Sequence, residues 1–207
     1  NVNYWPSITR NHSCSLMSMY SYATQINGEI GFSADIMYKI PKGTLLGGKY
    51  GTSIKLNYSN IHSLDMTPID GYALFEAGTN GYETDLFSIG EEKYFSEINL
   101  EINKKISSNF KMNFMYSYQE FNPIAYGHAG NPMIYAHVAV IDGTYKLAAH
   151  QSIKGEIQAL FTKQDYDEFA KGNWFQYGAE YNFAGHWFLA ASDQWNYGTE
   201  QGDKVHY

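Results

Sequence analysis

A chain of 207 residues that is 44% hydrophobic and 17% aromatic has no apolar run near the roughly 20 residues that a spanning helix needs, which excludes a helical membrane protein. A net charge of −7 without a basic stripe argues against a nucleic-acid partner. The single cysteine, Cys14, excludes an internal disulfide and a zinc site built on paired thiols, and reads as an inert packing residue. Strands stay open, because a membrane strand needs only about 10 residues with alternate positions apolar.

The start, Asn1-Val2-Asn3-Tyr4, has no basic region and no apolar core. For an exported protein this leads to the expectation that a leader was removed or that the chain begins inside a longer polypeptide. Residues 8–23 alternate poorly, but Leu16, Tyr20 and Tyr22 share a face, so a first strand is expected there. From Glu29 to Ile40 the alternation is clean. Ile30, Phe32, Ala34, Ile36, Tyr38 and Ile40 oppose Gly31, Ser33, Asp35, Met37 and Lys39. The pattern returns with Ile54, Leu56 and Tyr58 against Lys55 and Asn57, and with Ile98, Leu100 and Ile102 against Glu97, Asn99, Glu101 and Lys105. After a tight turn, Met112, Phe114, Tyr116 and Tyr118 oppose Asn113, Ser117 and Gln119. Residues 133–148 alternate from Ala139 onward, residues 153–162 set Ile153 and Ile157 against Lys154 and Glu156, and residues 175–183 set Tyr177 and Tyr181 against Glu180. In the last segment, 187–197, Asp193 falls among Trp187, Leu189, Ala191 and Trp195, which suits a position near a membrane rim.

The sum is about nine strands, mostly of about 10 to 14 residues, longer than the five or six usual in soluble sheets. Connections near 41–50, 107–110, 149–151 and 184–186 are mostly short, and those at 66–93, 120–132 and 163–173 are long and polar; the short 24–28 link breaks the alternation. An up-and-down meander has turns on one side and loops on the other. The predicted fold is therefore all-β: a single antiparallel up-and-down transmembrane β-barrel domain over residues 1–207. An odd strand count, and an end (202–207) that reads as a loop entering another strand, lead to the expectation that this barrel is incomplete.

On the polar side stand Asp35, Lys39, Lys55, Glu97, Glu101, Lys105, Lys154, Glu156 and Glu180, the candidates for a lumen lining that braces the barrel or selects solutes. On the apolar side Tyr38, Tyr118, Phe161, Trp187 and Trp195 suit the two membrane interfaces. The acids of the longest loop (Asp70, Glu76, Glu83, Asp85, Glu91, Glu92) lack the spacing of a calcium loop and read as a solvated surface. Of seven histidines, none pairs at metal-motif spacing, and only His137 lies on a strand where a neighbour could complete a catalytic set. No nucleophile elbow or phosphate-cradling glycine loop is present in the sequence, so no metal, cofactor or catalytic residue is expected.

Several stretches add a resemblance: Gly28-Glu29-Ile30-Gly31 through Tyr38-Lys39, Gly47-Gly48-Lys49-Tyr50-Gly51-Thr52, Leu160-Phe161-Thr162-Lys163-Gln164-Asp165, His186-Trp187-Phe188, and Asn196-Tyr197-Gly198 after Ser192-Asp193. The chain resembles a family of Bacteroidota outer-membrane β-barrel proteins known only as a domain of unknown function. The resemblance implies an outer-membrane location, longer relatives, and no catalytic residue to transfer. The expected role is structural, or passive and porin-like transport, or membership of a surface assembly. The expected partners are outer-membrane lipid and other outer-membrane proteins or lipoproteins. The alternatives are a soluble β-sheet protein binding carbohydrate on Trp5, Trp174, Trp187 and Trp195, and a barrel-embedded hydrolase with His137 as base.

Overall fold

The computed structural model describes residues 14–25, 27–74, 81–127, 132–163, 172–183, 186–198 and 205–207, the side chains of 126 and 163 excepted. Eight long strands dominate: β1 (Ile30–Ile40), β2 (Thr52–Leu64), β5 (Ile89–Lys105), β6 (Phe110–Phe121), β7 (Ile134–Ala148), β8 (Gln151–Lys163), β9 (Trp174–Phe183) and β10 (Trp187–Asn196). A two-residue strand, β11 (Val205–His206), extends the sheet beyond β10. The order β1-β2-β5-β6-β7-β8-β9-β10-β11 follows the chain, and every neighbouring pair is antiparallel. Among the described residues the order is interrupted by a small hairpin of β3 (Thr67–Pro68) and β4 (Tyr82–Glu83), set inside the long 65–88 connection. The sheet is open, with β1 and β11 at its edges.

The registers convert period-two sequence into two surfaces. One cross-strand row reads Ile36, Leu56, Leu100, Tyr116, Ala139, Ala159, Phe175, Trp195. The neighbouring row on the other face reads Met37, Lys55, Glu101, Met115, Val140, Gln158, Gln176, Gln194. The central rows run across eight strands without a break in parity, so the sheet has one apolar and one mixed polar face.

Residues 14–20 form successive turns, not the strand expected over 8–23; residues 8–13 lie outside the described part. Ser18 donates to the Cys14 carbonyl (3.1 Å) and Met19 to that of Leu16 (3.3 Å). Leu16, Met17 and Tyr20 are all buried, a spacing no strand can bring to one face. They pack on the polar face of the sheet, where Tyr20 meets Phe121 (5.8 Å between ring centres) and Tyr22 meets Phe95 (5.6 Å). With Ile61, Ile134, Val138, Val140 and Leu160 they form the hydrophobic core. The short 24–28 link therefore joins a packed segment to β1, and the irregularity it introduced into the turn–loop alternation disappears.

The turns are locally determined. In the 41–51 turn Gly48 has φ of 59°, and a Cβ on Gly47 would collide with the Pro41 carbonyl. At the other end of the sheet Asn122 caps a 3-10 turn (Pro123–Tyr126), accepting from the Ile124 N–H (2.9 Å) while donating to the Lys93 carbonyl (2.8 Å).

Candidate functional site

All nine predicted lumen residues stand on the polar face, as their registers require. Ser59, Glu97 and Gln119 share one row, Lys55 and Glu101 the row of Gln158, and Lys154 faces Glu180. Glu97 is fully buried beneath the 14–22 segment and accepts from the Ser117 hydroxyl (2.7 Å) and the Asn99 amide (3.4 Å). Asn103 donates to Glu101 (2.8 Å), Gln158 to Glu156 (2.6 Å) and Asn182 to Glu180 (2.5 Å). Lys154 pairs with Glu156 at 2.9 Å. Asp35, Lys39 and Lys105 are exposed on this face and Lys55 is partly exposed.

One sequence signal for this bracing is now visible: Glu97-Ile98-Asn99, Glu101-Ile102-Asn103, Glu156-Ile157-Gln158 and Glu180-Tyr181-Asn182 each place a carboxamide two residues after a glutamate. In a strand that spacing returns to the same face, so the amide reaches the carboxylate without leaving its own strand. Gln119, Gln158, Gln176 and Gln194 are further participants that charge alone did not reveal. Gln119 donates to the Met17 carbonyl (3.1 Å) and Gln158 accepts from the Leu16 N–H (3.0 Å). Gln194 donates to the Ser15 hydroxyl (3.0 Å), which itself donates to Gln176. Gln119 and Gln158 thus satisfy backbone groups of a segment that has no ladder of its own, while Gln176 and Gln194 hold its Ser15 side chain. Burial beside Glu156 and Asp142 pushes the Cys14 thiol up to about 12.

The apolar face is exposed. Phe32, Ile36, Ile141, Ile157, Phe161 and Leu189 keep 49–70% of their surface accessible. Of the predicted interface aromatics, Tyr38, Phe161 and Trp187 are exposed, while Tyr118 and Trp195 are half-buried. Tyr118 donates to Glu120 (3.1 Å), which pairs with Lys93 (2.7 Å). A register shift between Ile61 and His62 brings Lys93 there. Trp195 stacks on His206 at 5.7 Å. Gly143, Gly155, Ala179 and Ala191 are successive partners and floor a shallow furrow of about 710 Å3 on this face.

The rival readings find their residues dispersed. Trp174 lies in the row of buried Leu160 on the polar face, and Trp187 and Trp195 lie at opposite ends of β10 on the apolar one; Trp5 is outside the described residues. His137 contacts the Tyr116 hydroxyl (2.7 Å) and the Tyr118 ring (4.9 Å), and among the described residues no serine, aspartate or asparagine side chain bonds to it. His150 and His186 are exposed in turns, and His12 and His128 lie outside the described residues. Of the loop acids, Glu91 and Glu92 belong to β5, Glu83 to β4, and Glu76 is outside the described part. Among the described residues no three His, Cys, Asp or Glu are grouped to hold a metal ion. No described helix is long and apolar enough to cross a membrane, which has no bearing on crossing by strands.

No curated protein and no solved structure matches the chain. One family model does, over residues 1–207, and it describes a family of unknown function. With the whole length matched, the chain belongs to this family, DUF6029.

Proposed function

We propose that this chain forms the wall of an up-and-down β-barrel in a bacterial outer membrane, with its apolar face toward lipid and its polar face inward. Its role is structural or porin-like, or that of a subunit in a surface assembly, with lipid and neighbouring outer-membrane proteins or lipoproteins as partners. The observation that carries this reading is the inversion of the two faces. Glu97, Ser59, Ser117 and Gln119 are fully buried, while Phe32, Ile36, Tyr38 and Leu189 are 60–70% exposed. Water would charge roughly 25 cal/mol for each Å² of that apolar surface, whereas hydrocarbon favours it.

Dimensions support the same reading. Along β7 the outward residues from His137 to Tyr145 cover eight steps, about 27 Å at roughly 3.4 Å each. At a tilt of about 40° that span covers about 21 Å, most of the ~25 Å apolar band of outer-membrane barrels. At the loop end Tyr58 accepts from Asn60 (3.1 Å) and Tyr118 donates to Glu120, so rings lie on the apolar face with their hydroxyls toward polar groups. Edge backbone groups of β1 and β11 have to be paired inside a bilayer, so the reading requires closure by further strands or another copy.

The test is partition of the native protein. It is expected to stay with membranes through a high-salt wash and to leave them only in detergent. A monodisperse protein in detergent-free buffer would overturn the proposal.

A further inference from the structure

Most acids of the polar face are braced, but one corner of that face is left with unpaired cations. At the turn end of β1, β2, β5 and β6 a cavity of about 420 Å3 is lined by Lys39, Lys105 and Lys111, with Asn103, Asn113 and Asp142. Lys105 and Lys111 are direct cross-strand partners. Like charges so placed repel and weaken the pairing unless something of opposite sign sits between them. Among the described residues none of these three lysines has an ion-pair partner, since the pairs formed are Lys93–Glu120, Lys154–Glu156 and His206–Asp193. The one carboxylate in the cavity, Asp142, is engaged by the Asn113 amide (3.0 Å). The Lys105 ammonium lies over the Tyr50 ring, 4.8 Å from its centre, on a residue that is exposed, as Lys39 and Lys111 are. Lys104, at the rim of this cavity, belongs to the row of Ile40 and Met112 on the opposite face and donates to the Leu46 carbonyl (2.9 Å), so it adds no charge to the corner. Lys39, Lys105 and Lys111 gather this positive charge in a chain whose net charge is −7.

We propose that this corner is an anion site, and that its ligand is a compact polyanion of the polyphosphate class. Lysine binds such oxyanions as a movable point charge, and three of them converging from three strands suit a ligand with at least two charged groups. A bound anion would also remove the repulsion between Lys105 and Lys111, so occupancy and strand pairing support each other. The inference stands on the cavity and its charges and does not depend on where the apolar face lies. Aqueous behaviour of the protein would defeat the membrane reading and leave this one standing.

The test is calorimetric titration of the detergent-solubilised full chain with pyrophosphate at low salt, with acetate as the singly charged control. Saturable one-to-one binding of pyrophosphate alone is expected, weakened at least about tenfold in the double variant K105Q/K111Q and retained in K105R/K111R. Without pyrophosphate, K105Q/K111Q is expected to melt no lower than the parent chain, which separates a lost ligand from a lost fold. Pyrophosphate binding that does not saturate, or that is as tight in K105Q/K111Q as in the parent, would overturn the proposal.

Discussion

Cys14 shows how much the burial of a single residue decides. Sequence gave it no partner, and packing against the sheet makes it a small hydrophobe whose thiol is held up to about 12 by burial first and by Glu156 and Asp142 next. Two outcomes follow. In the folded protein at pH 8, alkylation of Cys14 by iodoacetamide is expected to run at least about tenfold slower than in the denatured chain, because only the thiolate reacts. The linkage sign is set by a folded value above the unfolded 9.0. Below about pH 9 the thiol is neutral in both states and contributes no pH dependence. Between about pH 9 and 12 the unfolded chain releases a proton that the fold retains, so stability falls as pH rises. Cys14→Ala is expected to flatten that alkaline slope in denaturation midpoints; an unchanged slope, or equal alkylation rates, would place the thiol in solvent. The buried Gln119 and Gln158 were harder to recognise beforehand. Their role follows from the Met17 carbonyl and Leu16 N–H that they meet, more than 100 residues away in sequence.

At the scale of elements, strands whose two faces differ in chemistry were legible almost to the residue. The alternation over 29–40 became Ile30–Ile40, and that over 175–183 became Trp174–Phe183. β5 starts earlier than its alternation suggests, because Glu91, Glu92 and Lys93 have the composition of a loop and the register shift at His62 interrupts the period. The strand expected over 8–23 is absent from its described part, 14–23, for a different reason. Leu16, Tyr20 and Tyr22 satisfy a period of two, but residues 14–20 close on themselves in successive turns, with Ser18 bonded to the Cys14 carbonyl, and bury adjacent Leu16 and Met17 together. That segment covers Glu97 and completes the core, so its removal should be felt by the whole sheet. Leu16→Ala, at a fully buried position, is expected to cost about 2–5 kcal/mol, read as a lower urea midpoint in detergent. A change below about 0.5 kcal/mol would mean that the segment lies loosely on the sheet.

For the whole molecule, the meander and the sidedness of its charges were readable from sequence, whereas the filling of the polar face was not, because residues 14–22 and the sheet meet only through long-range packing. The apolar face carries the central proposal, that it is a surface for lipid. The measurement that tests this most directly is a spin-label accessibility scan along β1 in a Cys14→Ala background, with single cysteines at Ser33, Ala34, Asp35, Ile36, Met37 and Tyr38 in bilayers. Labels at Ala34, Ile36 and Tyr38 are predicted to be relaxed by oxygen, which concentrates in lipid, and shielded from a water-soluble nickel chelate. Labels at Ser33, Asp35 and Met37 should show the reverse or be shielded from both. An accessibility pattern with no period of two, or nickel access at Ala34, Ile36 and Tyr38, would contradict a lipid-facing sheet.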